Sequence, residues 1–209
     1  MFDLILKGGR VIDPSRGTDL EQDVAITGSR IAGISASVPS DSARQVLDVS
    51  GKIVVPGLVD LHTHIYPGVI SNGVEVDETC LRRGVTTAVD GGSSGTENFG
   101  GFLRWIAGQS KTRVFCFLHL SAIGQAATRR AGELANPAYA DPEGAIELIR
   151  LHSDVIVGLK LRASRPALGG PSLPMLQAAR RVLDATGVPM MIHIGDTVEP
   201  LGAILDSLR

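Results

Sequence analysis

The stretch IVVPGLVDLHTH, residues 53–64, decides the fold. It is apolar for most of its length and ends on two histidines separated by Thr63. An apolar run of that kind reads as a strand buried on both faces, which is the habit of parallel sheets. Polar groups at its carboxyl end then stand where parallel α/β folds keep their chemistry.

The same pattern recurs downstream. Apolar or β-branched runs at Thr86–Val89, Val114–Leu120, Val155–Leu161 and Val188–Ile194 join Ile53–Leu61 to make five expected strands. Helical patterns separate them at Val74–Arg83, Phe99–Ser110, Pro142–Leu151 and Pro174–Ala185, and a fifth follows at Val198–Leu208. Pro142 and Pro174 suit first-turn positions, with Asp141 and Ser172 as nearby caps, while Gly84 and Gly187 suit helix ends. Strand alternating with helix predicts a parallel sheet.

An open doubly wound sheet and a (β/α)8 barrel both fit that alternation. The open sheet with a dinucleotide site wants a glycine fingerprint after its first strand, and Gly57-Leu58-Val59 is not one. The barrel accounts for polar residues at many strand ends: His62 and His64, Asp90, His119, Lys160 and Arg162, then His193 and Asp196. A whole barrel needs roughly 250 residues. Residues 53–209 therefore supply about five βα units, a partial (β/α)8 TIM barrel.

Upstream, residues 1–52 read as short strands: two in LILKGGRVID about Gly8-Gly9, two in DVAITGSRIAGIS about Gly28, and one at Gln45–Val49. The only helical hint lies near Asp41–Arg44. The expectation is an α/β chain of two parts: a small N-terminal β-sandwich portion, 1–52, and an incomplete hydrolase barrel, 53–209.

A net charge of -2 without a basic run argues against a nucleic-acid partner. No apolar run is long enough to span a bilayer, and the start MFDLILKGG does not read as a signal peptide, so the expected compartment is the cytoplasm with no membrane partner. Cys80 and Cys116 are too few for a disulfide scaffold, and Cys116 in VFCFL reads as a buried thiol.

His62 and His64, at i and i+2, face the same side of a strand and form a natural pair of nitrogen ligands for zinc or a similar ion. Against that, a His-x-His pair can be a mere polar strand end. Lys160, in VGLKLR, is costly in a buried strand unless its charge is removed or paired. Reaction of the neutral amine with carbon dioxide gives a carbamate able to bridge two cations; snorkelling or pairing with a carboxylate are the alternatives. Arg162 shares the parity of Lys160 and suits an anionic substrate group or a supporting carboxylate. His193, in MMIHIGD, offers a third nitrogen. His119 and Tyr66 are candidate substrate contacts, although a packed, bonded histidine suits His119 as well. Asp90 precedes the loop Gly91-Gly92-Ser93-Ser94-Gly95, which reads as a close or mobile flap or as a simple turn. Trp105 reads as packing, His152 as structural or solvated, and Arg129 and Arg130 as a solvated face.

These residues resemble the amidohydrolase superfamily, and more closely its dihydroorotase-like deacetylase branch. The likeness runs through LKGGRVIDP, GKIVVPGLVDLHTHIY, GVTTAVDGGSSG, VGLKLRAS and MMIHIGD. It implies a β-sandwich assembled from both chain ends and two divalent metal ions, zinc by expectation. His62 and His64 would hold the more buried ion, carboxylated Lys160 would bridge the pair, and His193 would hold the second ion. The resemblance also implies a further histidine after strand six and a catalytic aspartate after strand eight. Neither falls within residues 1–209, so no catalytic acid/base is assigned here, and the chain reads as an N-terminal fragment that is inactive alone. True dihydroorotases resemble His-x-His-x-Arg at the first strand, and Tyr66 stands in the arginine's place. That points away from dihydroorotate and toward a small acylated amino or hydroxy acid, cleaved at an amide or ester by a metal-activated hydroxide. The competing readings are a dihydroorotase or cyclic amidase, a metal-free phosphate-binding barrel, and a non-catalytic fragment or scaffold. A homo-oligomer is open.

Overall fold

Gly8 and Gly9 do not turn the chain. In the computed structural model, which describes residues 1–208, they form a bulge inside one long strand, β1 (Phe2–Asp13). The expectation of two short strands about this pair fails because Gly8, at φ +72°, absorbs the extra residue as a bulge. The strands β2 (Thr18–Thr27) and β3 (Arg30–Ser35) form the expected hairpin about Gly28. A single 3-10 turn at Ser40–Ser42 replaces the helical hint, and β4 (Ala43–Asp48) returns parallel to β1. The sheet order is β3-β2-β1-β4, with β5 (Ile53–Val54) also pairing β1. Ile5, Ala25 and Val38 form its small buried cluster. Beside them the buried Asp23 accepts from Lys7 Nζ at 2.7 Å and from the amides of Gly8 and Val38.

The deciding stretch divides at Pro56-Gly57. Ile53 and Val54 belong to the N-terminal sheet, and only β6 (Leu58–Thr63) enters the second one. Proline cannot donate to a ladder, so one strand cannot continue through it. The chain accordingly falls into two compact units, Met1–Leu58 and Val59–Arg209.

In the second unit the alternation holds. The helix α1 (Val76–Thr79) tightens into a 3-10 turn at Leu81–Arg83 and stops at Gly84 with φ +83°. Next come β7 (Val85–Asp90), α2 (Phe99–Phe102) widening into a π turn at Leu103–Ala107, and β8 (Arg113–His119). The helix α3 (Pro142–Leu151) starts with Asp141 accepting from the Gly144 amide at 3.0 Å. Then follow β9 (Ile156–Arg162), a short unexpected α4 (Arg165–Leu168), α5 (Leu173–Thr186), β10 (Met190–His193) and α6 (Leu201–Asp206). The five strands lie in the order β6-β7-β8-β9-β10, and β7 through β10 pair in parallel.

This is a partial TIM barrel of the α/β class. Its core packs Leu118, Leu159 and Leu161 against Ala145, Ile149, Leu176 and Val182 of the helices. Burial marks the strand positions: Leu159, Lys160 and Leu161 in β9 are all buried, whereas Val59 and Leu61 in β6 are 57% and 66% exposed. No helix among the described residues is long and apolar enough to cross a membrane. Cys80 and Cys116 are free and buried.

Candidate active site

The carboxyl ends of β6, β9 and β10 share one pocket of about 350 Å³, whose walls include His62, His64, Lys160, Arg162 and His193. His62 and His193 come from the two outermost strands. Four strand spacings of about 4.8 Å would hold them about 19 Å apart in a flat sheet. They share a pocket because the sheet curls.

His62, in β6, and His64, one residue past its end, both line the pocket, their ring centroids 5.5 Å apart and their planes at 71°. The His64 Nδ1 lies 3.0 Å from Ser93 Oγ. Ser93 Oγ in turn donates to Asp90 Oδ2 at 2.7 Å. Asp90 is fully buried and accepts three backbone amides as well, from Ile65, Gly92 and Ser93. Burial pushes its carboxyl above the usual range, and these four donated bonds pull it back. The loop after β7 is thus a close one, as expected: its backbone lies against His62 and Lys160, and it links Asp90 through Ser93 to His64.

Its two glycines are there for space. A Cβ on Gly91 would lie 2.3 Å from His62 Cδ2, and one on Gly92 would lie 2.3 Å from Lys160 Cγ. The backbone passes flat against the imidazole and the lysine stem, which only glycine permits.

Lys160 is 1% exposed. Its amine is lowered to about 8, first by burial and then by the neighbouring Arg162 charge. Among the described residues no group accepts a hydrogen bond from Nζ, so the alternative of a paired lysine is not what the structure shows. Arg162 is the paired cation: its Nη1 donates to Oε1 of Glu133 at 2.5 Å, and Thr128 Oγ1 donates to the same oxygen at 2.7 Å. Burial depresses all three pocket histidines. His64 falls to about 4, helped by the charges of His62 and Lys160; His62 and His193 shift the same way. Neutral imidazoles are the form that binds metal.

His119 and Tyr66 stand elsewhere. His119 is fully buried beside Lys160 in the strand register, does not line the pocket, and accepts the Ser121 amide on Nδ1 at 2.9 Å. Its Nε2 has no partner among the described residues, and burial lowers the ring to about 3. Tyr66 turns into the core. Its hydroxyl donates to the Asn98 carbonyl at 3.0 Å and its ring meets Phe102 edge-on at 5.4 Å. The structure therefore places Tyr66 away from the pocket where a substrate contact would be needed. Arg129, read as solvated face, reaches the pocket wall, while Trp105 is 57% exposed under Arg104 rather than packed. Sequence reasoning missed Ser93 and Glu133. Ser93 hid in a glycine-serine loop, and Glu133 lies between the strand run Val114–Leu120 and the helical pattern Pro142–Leu151 with no period to mark it.

Among the described residues no three His, Cys, Asp or Glu side chains gather as a ready metal site. Two histidines leave one strand and the third leaves a distant one, with Lys160, a cation as it stands, between them. A larger hollow of about 610 Å³ opens at the opposite strand ends, beside Thr86, Val114 and Val155. It gathers no imidazole, and barrel chemistry sits at the other face.

No protein-family model matches the chain. It is 34% identical over 187 residues to a deacetylase of Agrobacterium fabrum, covering 89% of this chain and 46% of that protein. A deacetylase of Brucella anthropi is 36% identical over 176 residues, covering 84% and 43%. Among solved structures, a dihydroorotase superposes with a TM-score of 0.89 at 31% identity, covering 98% of this chain and 54% of the other. The chain spans about half the length of the curated relatives it matches.

Proposed function

We infer that the chain belongs to the amidohydrolase superfamily and that its strand-end pocket is part of a metallohydrolase site that cleaves an amide, N-acyl or acyl-ester bond. The observation that carries this reading is the meeting of His62, His64, Lys160 and His193 from three strand ends in one pocket.

The donors fit two divalent ions, zinc in this proposal. His64 spends Nδ1 on Ser93 and keeps Nε2; burial keeps the imidazoles neutral. Lys160 has an amine poised near 8 with no hydrogen-bond partner among the described residues, ready to be carboxylated by carbon dioxide. Bound ions would lower the pKa of a water and polarise the scissile carbonyl. Arg162, held by Glu133, faces the pocket and binds the carboxylate of an acylated amino or hydroxy acid. Residues 1–52 serve as the N-terminal part of a composite β-sandwich and 53–209 as the first part of the barrel. The acid/base group is not assigned within them. The enzyme works in the cytoplasm.

A dihydroorotase or cyclic amidase is the second reading, favoured by the solved dihydroorotase that the chain resembles. Both are tested on the protein at its full natural length by metal analysis and parallel assays of N-acyl amino acids, O-acyl hydroxy acids and dihydroorotate. About two zinc ions per chain with preferred acyl hydrolysis is the expected result. Comparable or better turnover of dihydroorotate selects the second reading. Absence of both metal and hydrolysis removes both.

A further inference from the structure

We propose that Ser93 is a positioning residue: through the chain Asp90–Ser93–His64 it fixes the His64 tautomer, so that Nε2 faces the pocket as a lone-pair donor for a divalent cation. The proposal rests on the metal reading above and adds a residue and a direction to it.

Both oxygens of Asp90 are occupied. Oδ1 accepts the amides of Gly92 at 2.9 Å and Ser93 at 2.6 Å, and Oδ2 accepts the Ile65 amide at 3.0 Å. Burial raises this carboxyl, but three backbone N–H groups and the Ser93 hydroxyl already donate to its two oxygens, so it meets its neighbours as an acceptor, with lone pairs and no hydrogen to offer. A serine hydroxyl has one hydrogen, and at 2.7 Å from Asp90 Oδ2 it points there. What remains on Ser93 Oγ is acceptor capacity, so the 3.0 Å contact to His64 Nδ1 is an N–H donated by the ring. A neutral imidazole carries a single N–H, and Nε2 is left bare. Outer partners of this kind set ring orientation and ligand basicity in metal sites. Here the partner is a hydroxyl backed by a buried carboxylate, and Ser93 itself is wholly buried, so water does not compete for either bond. The reverse chain, with a proton on Asp90 and Ser93 donating to the ring, would protonate Nε2 and present a hydrogen to the cation.

The protein at its full natural length, stripped of metal, decides between these directions by long-range ¹H–¹⁵N correlation of the histidine rings. A protonated Nδ1 and a bare Nε2 on His64 are expected; the opposite tautomer, or an even mixture, overturns the proposal. Ser93→Ala supplies the second readout. With zinc ion alone as probe and a competing chelator, its affinity should fall about 10–100-fold while the thermal unfolding transition stays cooperative. Unchanged affinity overturns the proposal. Should the variant fail to fold, the tautomer in the unaltered protein still decides. Failure of the unaltered protein to bind zinc removes the metal reading instead, and the ring measurement then judges the relay by itself.

Discussion

Arg162, at the end of β9, donates from Nη1 to Oε1 of Glu133, and Glu133 is completely buried with its other oxygen unpartnered among the described residues. A buried carboxylate is tolerable only with such a partner, so the pair fixes where the guanidinium points. Arg162→Met should destabilise the protein by up to about 3–5 kcal/mol, the range for breaking a buried pair, and by less because the arginine side chain is 21% exposed. It should also raise KM for carboxylate-bearing substrates while sparing neutral acyl compounds. Equal losses on both substrate types would show that Arg162 does not read the anion.

Gly92 sets the position of Lys160. At φ +95°, with its Cβ position 2.3 Å from Lys160 Cγ, it has neither the backbone conformation nor the space for a side chain. Gly92→Ala should cost about 1–3 kcal/mol and reduce metal content, measured by denaturant unfolding and elemental analysis. Full metal loading in a normally stable variant would mean that the lysine stem can move aside freely.

The Lys160 amine should report on pH directly. With its folded value near 8, about a tenth is neutral at pH 7 and about half at pH 8. Under a fixed pressure of labelled carbon dioxide, carbamate detected by ¹³C resonance should therefore rise between pH 7 and 8.5. The linkage has a definite sign. Between about 8 and the ordinary value of 10.5 the folded chain binds fewer protons than the unfolded one, so the Lys160 contribution to metal-free stability grows with pH across that window. In Lys160→Met both effects should vanish.

Tyr66 should behave as a core residue. Its hydroxyl ends on a backbone carbonyl, so Tyr66→Phe should cost about 1 kcal/mol of stability and leave KM nearly unchanged. A several-fold rise in KM would return Tyr66 to the substrate site.

Residues 1–209 produced by themselves should associate and show no hydrolysis. Val59 and Leu61 lie more than half exposed on the terminal strand β6, an open sheet edge that another chain can pair. Size-exclusion chromatography and acyl-hydrolysis assays on that polypeptide test this. A cooperative monomer that retains two metals and turns over substrate would contradict it.

The sequence by itself determined the barrel strands and the residues at their mouths. A buried parallel strand must be apolar along its length, so β7, β8, β9 and β10 stand out as runs, and His62 and His64 at the end of β6, Lys160 near the end of β9 and His193 at the end of β10 stand out as polar exceptions. Strand parity then sends His62 and His64 to one side without any knowledge of the rest. Parity could not say how β6 meets β10. His62 and His193 are 131 positions apart in chain numbering, and only the curl of the sheet closes that distance to a shared pocket. Ile53–Leu61 reads as one run in the sequence, and only pairing with β1 showed that Ile53 and Val54 leave it for the N-terminal sheet. Tyr66 follows the histidines at the same spacing and still leaves for the core, because the chain has left β6 by then and alternation no longer governs it. Ser93 and Glu133 carry no periodic signal at all. Their roles come from hydrogen bonds between loops and strand ends, and such bonds depend on angstrom distances that no one-dimensional pattern encodes.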